Sequence, residues 1–101
     1  MYKVEFFPEV KQDIADLPLD VLAEVKAYLK KYEKNPYRYG QKLHDHKQTK
    51  LEGYYKTYVA DATYRIVYSV QEDHVKIVSI VVIGKRDNHE VYNTAHRRIC
   101  T

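Results

Sequence analysis

Lys56, Arg65, Arg86 and Tyr92 are the residues of this 101-residue sequence whose types and spacing could act together on one substrate. A strand turns alternate side chains to one face. In the run at 54–59, Tyr54, Lys56 and Tyr58 therefore share a face, and Tyr55, Thr57 and Val59 share the other. In the run at 63–70, Tyr64, Ile66, Tyr68 and Val70 read as core, which turns Arg65 to the opposite face with Val67 and Ser69. If Lys56 points to that same face, two cations lie on neighbouring strands over one surface. Arg86, just after the third strand, and Tyr92, in the first turns of the last helix, can then join them. Such a group suits RNA. Attack of a ribose 2′-hydroxyl on the adjacent phosphate builds negative charge on the phosphoryl oxygens, and fixed cations stabilise that charge in the transition state. Arginine forks match phosphate geometry, and a tyrosine ring can stack on an unpaired base. Taken singly, each residue has a plainer reading: Lys56 or Arg65 as a solvated strand residue, and Tyr92, one of eleven tyrosines, as packing.

Other candidates carry weaker signals. His89 lies between Arg86 and Tyr92, where it could transfer a proton or simply stand exposed in the first helical turn. His44-Asp45-His46 offers two histidines with one spacer, a thin basis for a metal site; no metal and no cofactor is expected. Lys47 and Lys50, in the same stretch, and Lys85, beside Arg86, are further cations for an acid–base role or an RNA contact. Arg97-Arg98 reads equally well as a nucleic-acid or ribosome contact and as a solvated helix end favoured by the dipole. Cys100 has no matched base near it in sequence. The tyrosine-rich stretches 28–39 and 54–68 could form a stacking platform, although tyrosine also favours ordinary strand and core positions.

The elements that must position these residues are readable from periodicity. Alternation of Tyr2, Val4 and Phe6 with Lys3 and Glu5 predicts a short strand over 2–7. Pro8 suits the first turn of a helix, whose apolar stripe is Val10, Ile14 and Leu17. A second helix, capped near Asp20, carries Val21, Leu22, Val25, Tyr28, Leu29 and Tyr32 on one face and is stopped by Asn35-Pro36. Residues 35–53 show neither period and read as a long loop, which in so small a protein is usually functional or mobile. Strands over 54–59, 63–70 and 74–83, with short turns at 60–62 and 71–73, make an antiparallel meander. The last of these is apolar on both faces and belongs inside the sheet, with Gly84 ending it. Asp87 and Glu90 have capping-box spacing, so a final helix starts there and packs through Val91, Ala95 and Ile99. The expected fold is α+β: strand, helical hairpin, three-stranded meander and C-terminal helix, a small sheet with the helices packed on one side, in a single domain over 1–101.

Composition narrows the class. An apolar share of 45% with 31% charged residues is that of a globular chain and excludes a disordered one. The longest apolar run, 77–83, is too short to span a bilayer and contains a serine, so no membrane association is expected. Charges interrupt every N-terminal hydrophobic stretch, which argues against a signal peptide. A single cysteine points to a reducing, cytoplasmic setting. The net charge is +3 and unevenly spread: residues 1–41 hold seven Lys/Arg and seven Asp/Glu, while residues 42–101 hold ten and seven. A basic second part suits a polyanionic partner, though +3 is common among soluble domains.

The stretches Tyr64-Arg65-Ile66-Val67-Tyr68 and Gly84-Lys85-Arg86, followed by Glu90-Val91-Tyr92, resemble the RelE-type toxins of the RelE/ParE toxin–antitoxin superfamily. Lys42-Leu43 and Tyr55-Lys56 also match, with an insertion between them, and the order of elements agrees along essentially the whole chain. The resemblance implies a ribosome-dependent endoribonuclease that cuts mRNA in the ribosomal A site, inhibits translation, and is neutralised by a cognate RelB-like antitoxin. Its partners would be that antitoxin, the ribosome and mRNA. Carried residue by residue, Lys56 falls on a catalytic lysine, Arg65 and Arg86 on two functional arginines, and Tyr92 on the tyrosine that stacks on a substrate base. Tyr58 stands where well-known members have a second lysine, which leaves the general base open among Lys47, Lys50, His46 and His89. The alternative is a ParE-like toxin, a non-nuclease that binds DNA gyrase; it has no need of Arg86 or Tyr92.

Overall fold

The computed structural model describes residues 1–45, 50–85 and 90–100. Five strands form one sheet in the order β1-β5-β4-β3-β2, with β1 Lys3–Phe6, β2 Gln41–Lys42, β3 Tyr54–Val59, β4 Tyr64–Glu72 and β5 Lys76–Lys85. The expected meander is present as β3-β4-β5, all antiparallel. β1 adds in parallel beside β5, with Lys3 opposite Ile77 and Phe6 opposite Ile80. β2 pairs with β3 through Gln41 opposite Lys56 and Lys42 opposite Tyr55. That two-residue strand was invisible in the expected loop at 35–53, since alternation cannot be recognised over two residues.

The helices are α1 Val10–Ala15, α2 Leu19–Lys34 and α3 Glu90–Ile99. Pro8 lies in the turn before α1 and Glu9 occupies its N-cap, so the proline stands outside the helix. Pro18, not Asp20, is the N-cap of α2; Asp20 lies in the first turn, where its charge suits the helix dipole. Asn35 ends α2 as expected, and its Oδ1 accepts the Tyr37 N–H at 3.2 Å in an Asx turn. Gly84 does not end β5: the strand runs on to Lys85, with Gly84 opposite Arg65. Asp87 of the expected capping box falls outside the described residues; Glu90 begins α3.

The arrangement of layers corrects one expectation. The helices are not all on one side. Val10 of α1 and Val21, Val25 and Tyr32 of α2 share a core with Ile66, Tyr68, Val78, Ile80 and Ile83. Val91, Tyr92 and Ala95 of α3 pack instead with Val67, Val81, Val82, Leu43 and Leu51. Ile66 and Val67 are neighbours on β4 and must face opposite ways, so the hairpin covers one face and α3 the other. A β-bulge helps to achieve this. Val67 pairs with Val82 and Tyr68 with Ile80, leaving Val81 as the extra residue on β5. Side chains on either side of the bulge therefore change parity, and β5 presents Val78, Ile80 and Ile83 to the hairpin but Val81 and Val82 to α3.

Candidate functional site

The register of β3 on β4 puts Tyr58 opposite Arg65 and Lys56 opposite Val67. Lys56, Tyr58 and Arg65 thus lie on the face that α3 covers, and Tyr92 reaches them from the first turns of that helix. The Arg65 guanidinium is placed between two rings, 4.8 Å from the Tyr58 centroid and 5.2 Å from that of Tyr92. Its Nη1 donates to the Tyr92 hydroxyl at 2.8 Å. Lys56 Nζ lies 4.8 Å from the Tyr58 ring centre and 5.8 Å from the Tyr92 ring centre. Two cations on two tyrosine faces make one compact group, with Lys56 and Arg65 brought to one face by the register of β3 on β4.

Its burial differs from the open surface expected. Arg65 is 6% exposed and Tyr92 8%, while Tyr58, at 36%, is the outer member. A guanidinium tolerates this setting because it is planar, weakly hydrated and stacks on aromatic faces. Among the described residues no carboxylate pairs with Arg65, and its Nε is buried with no hydrogen-bond partner. A buried cation normally has a counter-charge. Among the described residues the nearby groups are a second cation and two rings, an environment that would favour an incoming anion.

The remaining candidates divide. Lys85 is exposed and opposite Tyr64, so it belongs to the hairpin face, across the sheet from Lys56 and Arg65. Lys50 is exposed; its N–H donates to His96 Nδ1 at 3.0 Å, one helical turn after Tyr92, and its Nζ lies 4.0 Å from Asp45. Arg86, His89, His46 and Lys47 lie outside the described residues. Among the described residues no group of three His, Cys, Asp or Glu is placed to hold a metal, and His44 and Asp45 are exposed. Cys100, expected without a base, has His96 Nδ1 3.6 Å from its sulfur.

Three residues to which the sequence analysis gave no part in positioning the site hold it in place. Arg98 is not a solvated helix end; it is tied to Asp13 of α1 through Nη1 at 2.7 Å and Nη2 at 3.0 Å. Leu43 and Leu51 are buried beneath α3, and Leu43 N–H donates to the Tyr54 carbonyl at 2.8 Å. Two leucines eight residues apart in a polar stretch were the available signal: each needs an apolar neighbour.

No protein-family model matches the chain. Over 98 residues it is 29% identical to a RelE-like toxin protein of Escherichia coli, covering 97% of each chain. The structure of a mutant E. coli toxin RelE in the free state matches with a TM-score of 0.75 at 26% identity, over 97% of both chains. The toxin–antitoxin complex RelBE2 of Mycobacterium tuberculosis contains a chain that matches at 0.67 with 27% identity, over 84% of this chain and 98% of that one. A YoeB/ParE toxin of Agrobacterium tumefaciens, at 12% identity and a TM-score of 0.68, shares the fold alone. The sheet order, the helical hairpin and the final helix are those of the RelE-like toxin fold. Along nearly its whole length the chain is similar to the RelE-type toxins, in sequence as well as in fold.

Proposed function

We propose that this toxin is a ribosome-dependent endoribonuclease that cuts mRNA in the ribosomal A site. The observation that carries the reading is Arg65: a buried guanidinium beside Lys56, between two tyrosine rings, with no carboxylate partner among the described residues. The ribose 2′-hydroxyl attacks the adjacent phosphate, and Arg65 and Arg86 offset the charge that grows on the phosphoryl oxygens. Arg86 also donates the proton to the leaving 5′-oxygen. Lys56 acts as base or charge stabiliser, and Tyr92 orients both Arg65 and the substrate. Tyr58 takes the place of a second lysine, so the site offers no clear strong general base of its own. Little cleavage of naked RNA is therefore expected. The ribosome would hold the phosphate in line for attack, a contribution that can reach several kcal/mol.

The protein works in the cytoplasm and is silenced by a cognate RelB-like antitoxin. Solved relatives support the partnership: the M. tuberculosis RelBE2 complex, the intact E. coli RelBE complex and an archaeal RelE–RelB complex from Pyrococcus horikoshii are each toxin–antitoxin assemblies. A partly disordered antitoxin can wrap a large surface by folding on it. Mapping the 5′ ends of cellular mRNA after brief induction tests the proposal. Cuts in phase with codons support it; intact mRNA with inhibited DNA supercoiling would replace it with gyrase binding.

A further inference from the structure

Beside the Lys56 group, at the outer edge of β3, lies a groove of about 340 Å³ between α2, β2 and β3. Among the described residues, β2 pairs with Tyr55 and Lys56 and the Leu43 N–H that follows it bonds the Tyr54 carbonyl, so the edge at Tyr58 and Val59 lies beyond its reach. Three tyrosines, Tyr28, Tyr39 and Tyr58, and two cations, Arg38 and Lys56, line the groove together with small or uncharged residues. Among the described residues no carboxylate lines it. Arg38 lies 5.9 Å from the Tyr39 ring centre, and Lys31, on α2, is 4.8 Å from Tyr28 and 5.3 Å from Tyr39. Glu24, one turn before Tyr28, is engaged by the Ala60 N–H at 3.1 Å.

The far wall of the groove is held in place from behind. Tyr32 donates its hydroxyl to Thr57 Oγ1, and Thr57, only 4% exposed, donates in turn to the Tyr39 carbonyl at 2.7 Å. Tyr68 donates to the Pro36 carbonyl at 2.7 Å. Between these anchors Gly40 approaches Tyr68 so closely that a Cβ there would stand 1.9 Å from the phenol oxygen. The segment carrying Arg38 and Tyr39 is therefore docked by buried hydrogen bonds on both sides of its turn. Pre-organised rings and cations reduce the ordering cost of binding.

We infer that this groove is a nucleotide-binding subsite for single-stranded RNA, taking an unpaired base that flanks the phosphate held at Lys56 and Arg65. The inference rests on the nuclease reading for that phosphate's position, because Lys56 belongs both to the groove and to the Arg65 group. Tyrosine faces stack on any base, which suits a site that reads no sequence. Cations without lining carboxylates suit the sugar–phosphate backbone. The volume lies at the small end of ligand sites and fits one nucleotide, not a helix.

The test is binding of a short 2′-O-methyl oligoribonucleotide to the full chain at low salt. This probe has no 2′-hydroxyl and cannot be cut by the proposed route. Tyr39→Ala should weaken binding roughly five- to a hundredfold, the range set by base–aromatic stacking. Tyr39→Phe should retain it within about twofold, which also controls for folding. Arg38→Ala should reduce the salt slope by roughly 0.7, the value for one phosphate contact on a single strand. Unchanged binding by Tyr39→Ala, or equal loss in Tyr39→Phe, would overturn the subsite. So would normal RNA binding with weakened antitoxin binding, which would make the edge a strand-addition site for that partner. Normal subsite behaviour with no codon-phased cleavage in cells would retain the groove and reject the nuclease.

Discussion

Asp13 and Arg98, from helices on opposite faces of the sheet, meet in a bidentate ion pair at the edge of β5. Arg98 Nη1 also donates to the Val81 carbonyl at 2.8 Å, and Asp13 Oδ2 accepts the Ile83 N–H at 3.1 Å. β1 pairs with β5 only as far as Ile80, so these two side chains take over backbone groups that the ladder leaves beyond it, at the bulge. The pair is largely buried, with side-chain exposures of 15% and 14%. It ties α3, and with it Tyr92, to the hairpin.

Arg98→Met should therefore cost about 3 kcal/mol, because it leaves a buried carboxylate and the Val81 carbonyl without their donor. Denaturant unfolding measures this. Well below its lowered melting temperature the variant should keep its activity, since Arg98 faces away from the Lys56 group. A loss of stability under about 1 kcal/mol would show that the ion pair does not secure the helix.

Arg65→Met should behave in the opposite way. Replacing a buried cation that has no carboxylate partner among the described residues by an apolar chain of similar length should be close to neutral, so melting should hardly change. Ribosome-dependent cleavage should fall by roughly a hundredfold to a thousandfold, as for loss of one donor to a developing oxyanion. Arg86→Ala should lose activity by a similar factor, remain folded and still bind antitoxin. Full toxicity in either variant would remove that arginine from the mechanism.

Alkaline pH should weaken the fold through phenols that are held protonated in it. Burial pushes the Tyr68 phenol up to about 12 and raises Tyr32 further, while the Glu72 carboxylate, as hydrogen-bond acceptor, pushes Tyr2 up to about 12. A phenol with a raised folded pKa binds its proton more tightly when folded, so its contribution is complete below the ordinary value near 10. It is lost as pH climbs from about 10 towards 12. The urea midpoint should be level from about pH 7 to 9 and then fall, less steeply in Tyr68→Phe. A midpoint that stays level to about pH 11.5 contradicts this account.

The β3–β4 turn stores strain. Ala60, Asp61 and Ala62 have φ of 52°, 54° and 68°, a left-handed run without a glycine. Each Cβ costs roughly 1–2 kcal/mol in that region. Ala62→Gly should raise stability by about 1 kcal/mol despite the greater freedom it gives the unfolded chain. Destabilisation on that substitution would mean that the turn is not held in this conformation in solution.

Much of the architecture was legible from periodicity alone. Alternation along β3 and β4 is a local property of the chain, so Lys56 could be grouped with Tyr58, and Arg65 with Val67, before any strand was paired; that the two groups share a face was decided by the register. The apolar residues on both faces of β5 also required cover on both sides. With α1 and α2 on one side, α3 had to take the other, a signal that the one-sided expectation overlooked. What tertiary structure alone decided depends on contacts distant in sequence. The bulge at Val81 exists only in the pairing of β4 with β5. β2 is a strand only because β3 lies beside it. The rings of Tyr58 and Tyr92 bury Arg65, and no local pattern announces that a cation will be enclosed. Arg98 reads as a free helix end until Asp13, 85 residues away, closes on it. Periodicity reports which way a side chain points from its own backbone; what it meets there is set by the packing of other elements.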